Sequence, residues 1–400
     1  VAEADYDAVV EAYDAYDALS EEEKEELPDA EELFAALFTI LNSGISTLAT
    51  VTDEIHWSIY ENGTDVIFYL GTVAHEPQNG ETLLDAAASG TFNPLELLYN
   101  GIPSRPWHSY SENITKANIE NEIAPAATAY WFDSFENMTA IENIHRLNTE
   151  NARSMRVMFS GCSSLTNLDV TGFDTSAAKD MYLMFDNCSS LTSLDVTGFD
   201  TSSATSLGGM FDGCAGLTNL DVTNFDTSNV TSMNHMFYGC GSLETLDVSS
   251  FDTSSVTSMQ QMFHGCNKIN SLDLSNFDTS KVTTMYAMFN ECTNLKELDV
   301  SGFDTANVTD MAYMFSECKT LEELDVRGFD TSKVTNMYLM FYGCAGLKVL
   351  DVSNFDTSNV ESMGWMFGGC SNIQILDVSN FNTSKVTNMY CMFSSCTSLE

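Results

Sequence analysis

The chain has 400 residues, and 44% of them are hydrophobic, enough for a packed core and too many for a disordered chain. Its 58 acidic residues outweigh 15 basic ones, leaving a formal net charge of −43. A surface of that sign repels nucleic acid and anionic lipid and suits cations, basic patches or neutral glycans. No run of about 18 apolar residues occurs, so no membrane insertion is expected. The sequence opens at Val1 and stops at Glu400 inside a repeat. It reads as a piece of a longer protein, with any export or anchoring signal outside it.

Residues 1–44 carry apolar residues at helical spacing in AEADYDAVVEAYDAYDAL and PDAEELFAALFTIL. Ser20 stands three residues before Glu23, a capping-box pattern. These features predict an acidic helical hairpin closed by Asn42, Ser43 and Gly44. Residues 45–100 read as a small β-rich segment. HWSIYENGTDVIFYLG is two alternating runs around Asn62-Gly63, which predicts a β-hairpin. His56, Trp57 and His75 are expected to serve packing or surface roles there. LLDAAASGTFNPLELLYNG suits a short helix and a loop.

From about residue 101 the chain becomes a repeat array, with a cap at about 101–146 and regular repeats over 147–400. Phe recurs at 159, 185, 211, 237, 263, 289, 315, 341, 367 and 393, and a Cys follows each three residues later. A 26-residue period allows one strand and a return, the content of a solenoid coil and too little for a propeller blade.

Within Leu217 to Cys240, LTNLDVTNFDTSNVTSMNHMFYGC, the L-x-x-L-x-V frame predicts a strand of a parallel sheet. Asp226 has the character of a helix N-cap. Val230, Met233, Met236 and Phe237 fit one face of a short helix, with Gly239 at its C-terminal cap. The predicted architecture is an α/β solenoid, a right-handed coil with a parallel sheet on one side and short helical turns on the other. Coils stacked ~4.8 Å apart hold equivalent cysteines parallel and too far apart for disulfides, so buried free thiols are expected. Cys391 stands outside that column.

The pattern V-x-x-M-x-x-M-F-x-x-C-x-x-L with L-D-V-S-N-F-D-T-S resembles the BspA-like leucine-rich repeats of bacterial surface proteins, in their 26-residue variant. PWHSYSENITKANIENEIAPAATAYWF is similar to the segment that opens such arrays. The resemblance implies a leucine-rich-repeat fold, a secreted or cell-surface location, and adhesion to host or cell-surface proteins. It carries no catalytic residues to transfer.

Two sets of residues stand out as candidate sites. One is the strand Asp column, including Asp221, Asp247, Asp273, Asp299, Asp325 and Asp351. Neighbouring carboxylates ~4.8 Å apart repel by about 1 kcal/mol in water. Hydrogen bonds to nearby Ser, Thr and backbone N–H groups would relieve this, as would a stripe of bound Ca²⁺. The other set is the variable pair inside M-x-x-M-F, which supplies Tyr286, Tyr313, Tyr338, Trp365 and Tyr390 in successive repeats. Such rings either lie flat over neighbouring coils or form an exposed contact stripe.

No nucleophile elbow, zinc motif or phosphate loop occurs. The expected function is a non-enzymatic extracellular adhesion module, needing no cofactor, monomeric, and binding a protein or glycan. The alternative is a stalk or spacer that presents another domain.

Overall fold

The computed structural model describes residues 55–78, 80–92 and 105–400. The expected helical hairpin of residues 1–44 lies outside the described residues, as does the PLELLYNG segment. The described chain has a small β-sheet at its N-terminal side that runs directly into a solenoid.

The β-hairpin forms where Asn62-Gly63 predicts it. Strand β1 (Ile55–Asn62) and strand β2 (Asp65–Gly71) pair antiparallel, with Asn62 opposite Asp65. Gly63 takes φ +65°, the left-handed conformation that such a turn requires. Strands β3 (Glu81–Leu83) and β4 (Ser89–Phe92) share the other edge of β1. Residues 84–88 are bends and turns, where the sequence suits a short helix. On its inner edge β2 pairs parallel with β5 (Lys116–Ile119), and β5 pairs parallel with β6 (Ala140–Glu142). Trp57, Phe68, Phe92, Trp107, Trp131 and Phe132 bury their rings beneath this sheet. The core they begin continues without a break into the repeats.

In the repeats two expectations fail. First, the L-x-x-L-D-V segments form almost no sheet. Their only named strands are β7 (Ser271–Leu272) and β8 (Glu297–Leu298). Several coils keep one bond at this column, such as Lys296 N–H to the Asn270 carbonyl at 2.9 Å.

Second, no α-helix occurs among the described residues. The M-x-x-M-F-x-x-C segments are successions of turns. Their N–H groups alternate between two kinds of partner. Met181, Leu183, Phe185 and Asn187 donate to Ser206, Gly208, Met210 and Asp212 of the next coil. Met184, Asp186 and Cys188 donate three residues back, to Met181, Leu183 and Phe185. Left-handed residues recur four apart, as at Leu183 and Asn187 or Gly209 and Gly213. They stop any helix from propagating and turn alternate N–H groups toward the neighbouring coil. The coil-to-coil ladder therefore sits on the side expected to be helical.

Three buried columns hold the coils in register. The Phe rings from Phe132 to Phe393 form one continuous stack, with centroids 5.4–5.9 Å apart and planes within 13°. All eleven cysteines are free thiols. Each column thiol donates to a Phe carbonyl, as Cys266 does to Phe237 at 3.3 Å. Burial pushes the thiols of Cys292 and Cys370 up to about 12, so they behave as inert core groups. A buried Thr completes each coil, as where the Thr253 hydroxyl donates to the Asp278 carbonyl at 2.9 Å.

Candidate binding face of the solenoid

Because the Met-Phe segments are serial turns, the residues between their buried Met and Phe project outward in four parallel columns. The first two columns are the variable pair of M-x-x-M-F. The next two are the residues between Phe and Cys. The second column is left-handed in backbone even where the side chain is bulky, with φ +58° at Tyr313 and +57° at Trp365. Such residues cost about 1–2 kcal/mol each relative to a right-handed conformation. The inter-coil ladder holds them there: Tyr313 N–H bonds the Tyr338 carbonyl at 2.9 Å, and Trp365 N–H bonds that of Tyr390 at 2.8 Å.

The five rings singled out from sequence fall on this face in two groups. Tyr313 packs edge-to-face between Tyr286 at 5.6 Å and Tyr338 at 5.5 Å. Trp365 packs edge-to-face on Tyr390 at 5.8 Å. A sixth ring, Tyr342 in the third column, joins Trp365 at 5.6 Å. Tyr286, Tyr313, Tyr338 and Trp365 are half-buried and Tyr390 is exposed. Partial burial raises the Tyr286 and Tyr313 phenols above the ordinary range, so both stay neutral donors at any physiological pH.

The rings combine both sequence expectations, because each lies partly over the next coil and partly in solvent. In the first column of the later coils large residues alternate with small ones: Tyr286, Ala312, Tyr338, Gly364 and Tyr390. A Cβ on Gly364 would stand 3.0 Å from the Tyr338 ring, and one on Gly368 would stand 2.7 Å from Trp365. Glycine at 364 makes room for the Tyr338 ring of the coil before it, and glycine at 368 for the Trp365 ring of its own coil.

Polar groups extend the face toward the N-terminal coils. Tyr238 stacks on His264 at 4.4 Å and on His235 at 5.4 Å. His235 Nδ1 lies 3.3 Å from Asp212 Oδ2. Burial lowers the His264 imidazole below its ordinary value. Farther along, Arg156 lays its guanidinium over the Tyr182 ring, 4.2 Å from the centroid. Cys391 is half-buried beside Tyr390.

The Asp column lies on a different side of the coil and closes local turns. Asp221 Oδ1 accepts from Thr223 N–H at 3.0 Å and from its hydroxyl at 2.7 Å. Asp247 and Asp351 repeat this with Ser249 and Ser353. Asp273 and Asp299 accept from the N–H of Ser275 and Ser301. Asp325 holds the Arg327 guanidinium and is pulled down to about 2. These bonds lower all six carboxyls below their ordinary value. One oxygen of each is thus committed to its own chain. Among the described residues no three His, Cys, Asp or Glu side chains gather into a metal-holding group.

The second Asp column works in the same way. Asp226 Oδ1 accepts from Ser228 N–H at 3.0 Å. The group expected to cap a helix caps a turn instead.

The family profile described as "Mycoplasma protein of unknown function, DUF285" matches at residues 129–245, 205–323 and 316–400. The chain belongs to this family. Its repeats carry the BspA-like leucine-rich-repeat pattern. No curated protein matches it. Three solved structures are similar to it. A leucine-rich repeat protein from Bacteroides ovatus is 16% identical, with a TM-score of 0.40 over 88% of this chain and 93% of that one. One from Eubacterium ventriosum is 16% identical, with a TM-score of 0.38 over 86% and 95%. A protein of Faecalibacterium prausnitzii, described as a leucine rich cell surface protein, is 15% identical, with a TM-score of 0.37 over 83% and 94%. Among the described residues no helix is long and apolar enough to cross a membrane.

Proposed function

We propose that this chain is a non-enzymatic binding module of an extracellular surface protein, and that it holds a protein or glycan ligand on the aromatic face of its later coils. The observation that carries this reading is the ring patch from Tyr286 to Tyr390. Its members meet edge-to-face at 5.5–5.8 Å and stay partly open to solvent. Rigid aromatic anchors on a pre-organised scaffold lose little conformational entropy when they bind. The ladder and the Phe stack supply that rigidity.

The spacer reading draws on the same stiffness and assigns the rings to packing alone. Binding of the chain to a panel of matrix proteins and mucin-type glycans separates the two. The comparison is a variant with Tyr286, Tyr313, Tyr338, Trp365 and Tyr390 changed to Ser. The binding-module reading expects a ligand whose binding falls at least about tenfold in the folded variant. A panel with no ligand, or a ligand bound equally by both proteins, rejects the ring face.

A further inference from the structure

We infer that the ring face recognises arginine side chains of a basic protein segment, an inference that rests on the face being the contact surface proposed above. The molecule contains an example of this chemistry in the same columns. Arg156 occupies the first column of its coil, and the next coil places Tyr182 in that column. The guanidinium lies 4.2 Å from the Tyr182 ring centroid, with Nη1 3.9 Å from Asp180 Oδ2 and Nε 3.3 Å from the Tyr130 hydroxyl. A guanidinium over one ring, bonded to the hydroxyl of a second and near a carboxylate, is what these columns hold where the chain supplies a cation itself.

The later coils place the same residue types in these columns in a different order, with Thr284 and Asn336 rather than Asp two residues before Tyr286 and Tyr338. Tyr286 and Tyr338 stand in the column of Tyr182, Tyr313 in that of Tyr130, and Asp310 in that of Asp180. Asp310 Oδ1 takes the N–H two residues on, from Ala312 at 2.9 Å, as Asp180 takes that of Tyr182 at 3.0 Å. Glu291 and Glu317 occupy the fourth column, with Glu317 paired to Lys319 Nζ at 2.7 Å. In these four columns, over residues 286–395, no Lys or Arg occurs. The net charge of −43 adds long-range attraction for a basic partner. Arginine suits the site better than lysine, because its flat guanidinium stacks on a ring while its N–H groups reach a carboxylate. A neutral glycan could hydrogen-bond the carboxylates but would gain nothing from the long-range charge.

The test uses the chain and a fluorescein-labelled peptide of alternating arginine and glycine, read by fluorescence anisotropy near physiological salt. The lysine–glycine and serine–glycine peptides serve as comparisons. The arginine peptide is expected to bind more tightly than the lysine one, with no binding of the serine one. Changing Tyr286, Tyr313 and Tyr338 to Ser should weaken binding by about tenfold or more. Changing only Tyr286 and Tyr338, the rings of the stacking column, to Phe keeps their faces and should leave affinity within about threefold. The variant D247N/D273N/D299N removes three charges from the opposite column and should also stay within about threefold.

Equal loss in that Asp variant, retention in the Ser variant, or equal affinity for the lysine peptide would reduce the attraction to diffuse charge and overturn the inference. Absence of peptide binding also overturns it. If the five-ring variant still loses a ligand from the matrix and glycan panel, the ring face survives and only its arginine preference falls. If no ligand is lost there either, both readings fall.

Discussion

The cap and the repeats solve the same problem, stacking one chain segment on the next, by different means. In the cap the segments equivalent to L-x-x-L-D-V form a true parallel sheet, β2–β5–β6, with consecutive residues paired. In the repeats that column pairs consecutive residues only at β7 and β8, and the ladder moves to the Met-Phe turns. The cap is held by contacts made once. His75 sits between Glu81 at 3.0 Å and Glu120 at 2.6 Å, and Arg105 pairs with Asp133 in the core. The repeats are held by a few contacts made many times, through Phe on Phe, thiol to carbonyl and Thr to carbonyl. A unique contact concentrates stability in one place, whereas a repeated one spreads it along the rod.

Arg105→Ala tests that contrast most severely. The Arg105 side chain is fully buried, ion-paired to Asp133, and donates to the Asp133 carbonyl at 2.8 Å. Its loss strands a buried carboxylate and should cost about 3–5 kcal/mol. The damage should stay in the cap. Urea unfolding followed by cap tryptophan fluorescence and by far-UV circular dichroism should separate into two transitions, with only the first shifted. A single shifted transition would mean that cap and repeats unfold together.

Asp186 offers a smaller test inside the early coils. Burial, and next the carboxylate of Asp212, raise its carboxyl from 3.8 to about 6, against hydrogen bonds from Ser160 and Asn187. The folded state therefore holds the proton more tightly than the unfolded state. Below about pH 4 both states are protonated and there is no penalty. Between about pH 4 and 6 the penalty grows as pH rises, and above that it is constant. Partial exposure limits it to about 2 kcal/mol. Asp186→Asn should raise stability by up to that amount at pH 7 and by nearly nothing at pH 3.5, as read from paired urea melts. A gain independent of pH would place the effect in packing.

Much of this was legible from the residues. The period placed the Phe stack and the thiol column, and the variable pair placed the aromatic face. Asn62-Gly63 placed the hairpin. The helix was the main misreading, and its cause is specific. Val230, Met233, Met236 and Phe237 satisfy a helical face, and serial turns that bury every third or fourth residue satisfy the same spacing. Gly239 was read correctly as left-handed, at φ +66°, but as the end of a helix. The second column holds Leu183, Gln261, Tyr313 and Trp365 in the left-handed conformation, residues with no preference for it. Tertiary hydrogen bonds impose it, and no local signal announces it. The buried Thr column was hidden among Ser and Thr used in turns. Its only mark is invariance, since Thr follows the second-column Asp or Asn in every coil from Thr149 to Thr383.

The smallest predicted effect concerns the Asp column, where repetition and charge oppose each other. Asp247 shows the arrangement, with Oδ1 accepting from Ser249 N–H at 3.0 Å and from the Ser249 hydroxyl at 2.6 Å. Those bonds hold the carboxyl below its ordinary value. A depressed carboxyl stabilises the fold above its unfolded pKa, and the contribution fades as pH falls through the lower folded value. Asp247→Ala removes the acceptor and should cost about 0.5–1 kcal/mol near neutral pH. Asp247→Asn keeps an acceptor oxygen and relieves repulsion along the column, so it should change stability by less than about 0.5 kcal/mol. A Ca²⁺ stripe predicts something else. Each site of millimolar affinity would stabilise the fold by about 1.4 kcal/mol in 10 mM Ca²⁺, and the triple variant D247N/D273N/D299N would abolish that shift over three coils. With one oxygen of every carboxylate already used by its own turn, the melting temperature should respond to Ca²⁺ no more than to Mg²⁺ at equal ionic strength. A larger response to Ca²⁺ that disappears in the triple variant would make the column a cation site instead of a row of turn closures.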